Sequence, residues 1–204
     1  MLFLLLQVTS TGQDVSFSQF FSNPLYLNPA FAGSVGVPRI SLQHRNQWHA
    51  FNNTFNTYSL AFDFPVEKLQ GGLGFYALKD GQANNIMNSY QFNFSYSVHL
   101  RVSEFYQLHG GIQAGIIRNE LRTEQLIFPD NFDPATGQTG LSEEIQYLGE
   151  PSYNFPDFSA GVMIYSERIF YGLAVHHIAE PQQSFFNIDS DFARLERKYS
   201  AHFG

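Results

Sequence analysis

Between Tyr90 and Val102 the chain alternates without a break. Tyr90, Phe92, Phe94, Tyr96, Val98, Leu100 and Val102 form one set of positions, and Gln91, Asn93, Ser95, Ser97, His99 and Arg101 the other. Successive side chains of a β-strand point to opposite faces, so the segment reads as a strand with one apolar and one polar side. Length narrows the setting, because strands of soluble proteins usually run about 5–6 residues. Residues 90–102, at ~3.3 Å rise, cover ~43 Å, or ~30 Å of height at a ~45° tilt, which matches the hydrocarbon core of a bilayer.

Composition agrees with that setting. Of 204 residues only 14% are charged, against roughly 25% in an ordinary soluble domain. Aromatic residues reach 17%, including 22 Phe and 11 Tyr. The length suits one domain with a real core. Apart from Met1–Val8 (MLFLLLQV) no stretch approaches the ~20 apolar residues of a spanning helix, so a membrane would have to be crossed with strands. Met1–Val8 itself reads as the apolar part of an export signal, with Ser10 and Gly12 ahead of a cut before Gln13. A frayed N-terminal strand is the alternative. The net charge is −7 and no Lys/Arg cluster occurs, which excludes nucleic acid as a partner. The chain has no Cys, which excludes disulfides, thiolate catalysis and Cys-based zinc sites.

Further strands are predicted at Arg39–Trp48, Thr54–Phe64, Gln70–Lys79, Tyr106–Ile116, Asp157–Ser166, Ile169–Ile178 and Lys198–Gly204. Ser103-Glu104 and Glu167-Arg168 read as minimal hairpin links, although neither has Asn-Gly or Asp-Gly turn chemistry. Links at 65–69, 103–104 and 167–168 are short, whereas 80–88, 118–156 and 179–197 are long. Outer-membrane barrels show this alternation, with short periplasmic turns and longer outer loops. The aromatic pairs Phe62/Phe64, Phe75/Tyr76, Phe105/Tyr106 and Phe170/Tyr171 gather at the short-link ends, as an interfacial girdle would. A soluble β-sandwich also buries aromatic residues and is the competing architecture.

Motifs for chemistry are weak. Gly72-Leu73-Gly74-Phe75-Tyr76-Ala77 fits G-x-G-x-x-A, but no helical period follows, so these read as strand glycines. His176 and His177 are adjacent; on a strand they would face opposite ways and could not share one ion, so a hydrogen-bonding role is the sober reading. Asp130, Asp133, Asp189 and Asp191 lie in long links and read as solvated acids rather than a calcium site. No catalytic signature occurs, and no cofactor or metal is expected. A Ser–His pair brought together in space, as in an outer-membrane acyl hydrolase, is the least favoured alternative.

The N-terminal block Phe17-Ser18-Gln19-Phe20-Phe21-Ser22-Asn23-Pro24-Leu25-Tyr26-Leu27-Asn28-Pro29-Ala30-Phe31-Ala32-Gly33 is neither alternating nor helical in period. Its two Asn-Pro steps force turn-like backbone, which suggests a fixed plug or strap, or else an ordinary cap over one end of a core. The block resembles the signature of the PorP/SprF family of type IX secretion outer-membrane proteins from Bacteroidetes. The resemblance continues through Arg45-Asn46-Gln47-Trp48, Gly71-Gly72-Leu73-Gly74, Asp157-Phe158-Ser159-Ala160-Gly161 and Ala174-Val175-His176-His177, with Pro181 and Ser184-Phe185 beyond. It implies an all-β, antiparallel transmembrane β-barrel of the outer membrane. Members of the family are usually longer, so the expected reading is a barrel fragment: 1–12 a signal remnant, 13–38 an N-terminal periplasmic strap, 39–204 a partial barrel.

The resemblance also implies a non-enzymatic role in export or surface anchoring of adhesins, through recognition of their C-terminal sorting domain, with other secretion components as partners and membrane lipid around the barrel. Asn23, Pro24, Asn28 and Pro29 are the expected backbone-fixing residues. Arg45, Asn46, Gln47 and Trp48 stand where the first strand meets its outer link, as cargo contacts or as an interfacial anchor. The alternative function is a transport channel similar to fatty-acid porins, with the polar face of 91–101 lining its path.

Overall fold

The computed structural model describes residues 20–47, 55–123, 126, 152–183 and 194–204. Eight strands follow one another: β1 (Arg39–Gln47), β2 (Phe55–Val66), β3 (Gly71–Gln82), β4 (Met87–Arg101), β5 (Gln107–Leu121), β6 (Ser152–Tyr165), β7 (Phe170–His176) and β8 (Lys198–Phe203). All neighbours pair antiparallel in chain order, in one sheet curled into an open half-barrel with β1 and β8 at its edges. Among the described residues no helix is long and apolar enough to cross a membrane.

The sheet is inverted relative to a soluble protein. Its convex side carries the apolar residues: Leu42 is 76% exposed, Phe92 and Phe94 53%, Ile112 63% and Leu173 60%. Its concave side is polar and shut away from water, with Ser59, Asp63, Ser95, Ser97, His109, Gln113 and Ser159 all buried. Only lipid makes such an arrangement favourable, since exposed apolar area costs ~25 cal/mol per Å² in water. The pairing register aligns the convex residues into continuous rows. Leu42, Leu60, Ala77, Phe92 and Ile116 form one row, and Ile40, Phe62, Phe75, Phe94, Ala114 and Phe158 the next. Outward positions of β4 stay apolar or aromatic from Tyr90 to Leu100, ~33 Å along the strand and ~25 Å of height at a ~40° tilt, the usual apolar band of such barrels.

Several expected boundaries move. The hairpin link after β4 is the five residues 102–106, not two. Without Gly in the turn, the Ser103 hydroxyl closes it by accepting from the amides of Phe105 and Tyr106, each at 3.2 Å. The turn 166–169 repeats the device with Ser166. The expected long link 80–88 shrinks to 83–86, because Ala83, Asn84 and Asn85 all take left-handed backbone and make a tight turn. Residues 118–121 and 152–156 of the expected excursion belong to β5 and β6; residues 127–151, with Asp130 and Asp133, lie outside the described residues, as do Asp189, Asp191, Trp48, Phe17–Gln19 and the export-signal segment. The girdle is thinner than expected. Neighbouring residues on a strand must face opposite sides, so Phe75 and Tyr171 face lipid while Tyr76 is buried inside and Phe170 turns inward onto Phe31.

Candidate functional site

The N-terminal block does contain helix, in pieces too short to carry a period. A 3₁₀ turn at Phe20–Ser22 leads into α1 (Pro24–Leu27) and then a second 3₁₀ turn at Pro29–Phe31. Each Asn-Pro step starts one piece. Asn23 Oδ1 accepts from the Tyr26 amide at 3.4 Å, and Asn28 Oδ1 from the Ala30 amide at 2.9 Å. Proline follows at the first helical position, where its missing N–H costs nothing. Asn28 also ends α1, its amide donating to the Pro24 carbonyl at 2.9 Å.

This strap lies inside the half-barrel, toward the short-link end, and is bonded to most of the strands. From β2, Ser59 accepts from Asn23 Nδ2 at 2.7 Å, and Asp63 accepts from the Gly33 amide at 2.9 Å. From β4, Ser97 donates to the Ala30 carbonyl at 3.1 Å, and His99 Nε2 lies 3.0 Å from the Ala32 carbonyl. On the far side Asn28 Nδ2 donates to the carbonyls of Val162 at 3.3 Å and Leu173 at 3.2 Å. The Leu27 carbonyl meets His176 Nε2 at 3.2 Å and the Ser200 hydroxyl at 3.4 Å. Arg39 closes the strap's exit, holding both Asp63 oxygens at 2.9 and 3.1 Å and reaching the Phe31 carbonyl at 3.4 Å.

Apolar packing joins these bonds. Leu25 and Ala32, both buried, pack with Ala61, Tyr76 and Leu78. The glycines make the approach possible: a Cβ at Gly72 would strike Ala32 and Gly33, one at Gly111 the backbone of Pro29 and Ala30, and one at Gly161 the side chain of Asn28. Gly72 and Gly74 are therefore strap seats, which answers the dinucleotide-like motif. Above the strap, Leu195 from the link after β7 packs on Ile117 and Phe155, so apolar side chains fill that part of the lumen too.

The expected site residues fall into two groups. Asn23, Pro24, Asn28 and Pro29 belong to the strap, and His176 joins them through Leu27. Arg45, Asn46 and Gln47 lie at the other end of β1 from Arg39, where Asn46 Nδ2 donates to Asn56 Oδ1 at 2.8 Å. The two histidines do not face opposite ways. His176 ends β7, and His177 takes left-handed backbone (φ 57°), which swings its ring inward too; both are buried, with ring centroids 6.4 Å apart. His177 Nδ1 is 2.9 Å from Asp157 Oδ1, whereas His176 Nδ1 is 3.2 Å from Ser159 Oγ. A hydrolytic triad needs its carboxylate on the same histidine as the serine. Here the far nitrogen of His176 meets a backbone carbonyl, and Asp157 serves the other ring. Among the described residues no group of three or more His, Asp or Glu could hold a metal ion.

Sequence reasoning missed the strand partners of the strap: Arg39, Ser59, Asp63, Ser97, Ser200 and His202, whose Nε2 lies 3.4 Å from Asn28 Nδ2. Alternation alone places Ser59, Asp63 and Ser97 on the polar face, but only sheet curvature says which of that face's residues touch the strap.

Asn28 provides a sharp check. Asn28→Ala removes a cap and the two bonds to β6 and β7, an expected loss of about 2 kcal/mol. Asn28→Asp keeps the cap acceptor but aims an oxygen at two carbonyls, and should lose at least as much. Urea unfolding of the detergent-solubilised protein measures both; an Asp variant as stable as the parent would refute the donor assignment.

An inverted sheet whose polar interior is filled by a buried strap defines a membrane β-barrel protein with an internal N-terminal plug. A family model described as "Type IX secretion system membrane protein PorP/SprF" matches residues 9–204, and the chain belongs to that family. No curated protein and no solved structure gave a match. The protein is thus an outer-membrane component of the type IX secretion and gliding machinery.

Proposed function

We propose that this barrel docks secreted adhesins through their C-terminal sorting domain, as a rigid platform rather than as a conduit. The observation that supports this reading is the clamped strap: polar bonds reach it from β2, β4, β6, β7 and β8, so the lumen near the short-link end is occupied by the chain itself. The docking surface is then the long-link rim, where Arg45, Asn46 and Gln47 stand. Chemistry at the site plays no part; the strap's role is to keep the rim in one shape. The porin-like alternative needs an open path, and the strap and Leu195 both stand in it.

Co-purification from native outer membrane in mild detergent tests the reading. The protein should bring down an adhesin with its sorting domain, and a combined Arg45→Ala, Asn46→Ala, Gln47→Ala variant should weaken that capture about tenfold or more, as loss of a polar anchor cluster does. Capture of no adhesin, together with steady solute-dependent conductance in planar bilayers, would favour the channel instead.

A further inference from the structure

The convex face changes character along one row. His44, Tyr58, Lys79, Tyr90 and Arg118 are aligned in register, one step toward the long links from the Leu42–Ile116 row. His44 stacks on Tyr58 with ring centroids 4.6 Å apart at 14°, and the Lys79 ammonium sits 5.7 Å from the centre of the Tyr90 ring. Between this row and the apolar one lies a shallow groove of about 480 Å³, floored by Leu42, Leu60 and Phe92, within the ~300–1,000 Å³ of ligand-sized sites. Arg118 has a carboxylate at hand, Glu120 at 2.6 Å. Lys79 has none among the described residues; its ammonium lies over the Tyr90 ring.

We infer that this groove binds a phosphorylated, acylated glycolipid of the outer leaflet, of the lipid A type. An ammonium at the upper limit of a lipid-facing band is unfavourable without a counter-charge, and a lipid phosphate supplies one where no carboxylate of the described residues does. An acyl chain fits the apolar floor. The flat His44–Tyr58 stack beside the cation suits the face of a sugar ring, which a glycerophospholipid lacks. Position selects the leaflet, because the long-link side of such barrels faces outward. The inference rests on the outer-membrane placement and not on cargo docking.

Native mass spectrometry of the full-length protein, purified in mild detergent and titrated with lipid A, with its dephosphorylated form and with phosphatidylglycerol, reads the site. The wild type should retain lipid A, and Lys79→Gln should weaken retention about tenfold while Lys79→Arg restores it. Heat-modifiable migration on gels checks that each variant is folded. Equal retention by a folded Lys79→Gln protein overturns the inference. So does equal binding of the dephosphorylated lipid or of phosphatidylglycerol by the wild type, a result that needs no variant. Loss of adhesin capture with lipid retention intact would count against docking alone.

Discussion

A Gly111→Val chain should fail to seat its strap. The added Cβ would fall on the backbone of Pro29 and Ala30, atoms that no rotamer change can move aside. Overpacking that side chains can absorb costs about 1–3 kcal/mol. Here the strap is held on both flanks, by Ser97 on the Ala30 carbonyl and by Asn28 on β6 and β7. The cost should therefore reach at least about 3 kcal/mol, enough to expel the strap or to stop the barrel from forming. Gly110→Ala is the matched control. Gly110 faces the other way, and its Cβ would meet only Val98 Cγ1 at 3.7 Å, an ordinary contact. Limited proteolysis of membrane-inserted protein distinguishes the two: the Val variant should be cut within the strap, and the Ala variant should resist like the parent. A protease-resistant, fully stable Val variant would show that the strap does not lie on β5.

Asp63→Ala should be nearly as damaging, for an electrostatic reason. Asp63 is 2% exposed and accepts three bonds, two from Arg39 and one from the Gly33 amide. Its removal leaves a largely buried guanidinium and an amide with no acceptor. Breaking a buried pair on one side costs about 3–5 kcal/mol; the Arg39 side chain keeps 24% of its surface accessible, which places the loss near the lower figure. Replacing both partners should cost much less than the sum of the single losses, because no charge is then stranded. A double-mutant cycle on Arg39→Met and Asp63→Leu, read by urea unfolding, checks this. Additive losses would mean that the pair contributes no coupling.

The strands were legible because a bilayer imposes two incompatible solvents on one ribbon. Each inward and outward position of β2 and β4 follows from alternation alone: Thr57, Ser59, Ala61 and Asp63 are inside, Tyr58, Leu60 and Phe62 outside. Where backbone leaves the β region, alternation stops applying. Left-handed residues shorten the 83–86 turn and swing His177 inward; Asn84-Asn85 carries a turn signal for the first change, whereas nothing in the residues announces the second. The strap was legible as an irregular insert but not as helical turns, since a four-residue helix cannot display a 3.6-residue period. Its Asn-Pro steps did carry the signal, as a cap followed by a proline suited to the first helical position. What remained hidden was placement. The partners of Asn28 on β6, β7 and β8 are brought to it by curvature of the whole sheet, which local pattern cannot encode.

Those partners are also remote along the polypeptide. Asn28 reaches residues 134 and 145 positions later, and Ser200 meets Leu27 across 173. The first segment of the barrel to leave a ribosome is therefore the last to find its final contacts, because β6, β7 and β8 must be assembled before their carbonyls and hydroxyls exist as a surface. A buried Leu25 and a latched Asn28 thus report that β6, β7 and β8 have arrived, which gives the molecule a built-in mark that this stretch of sheet has assembled.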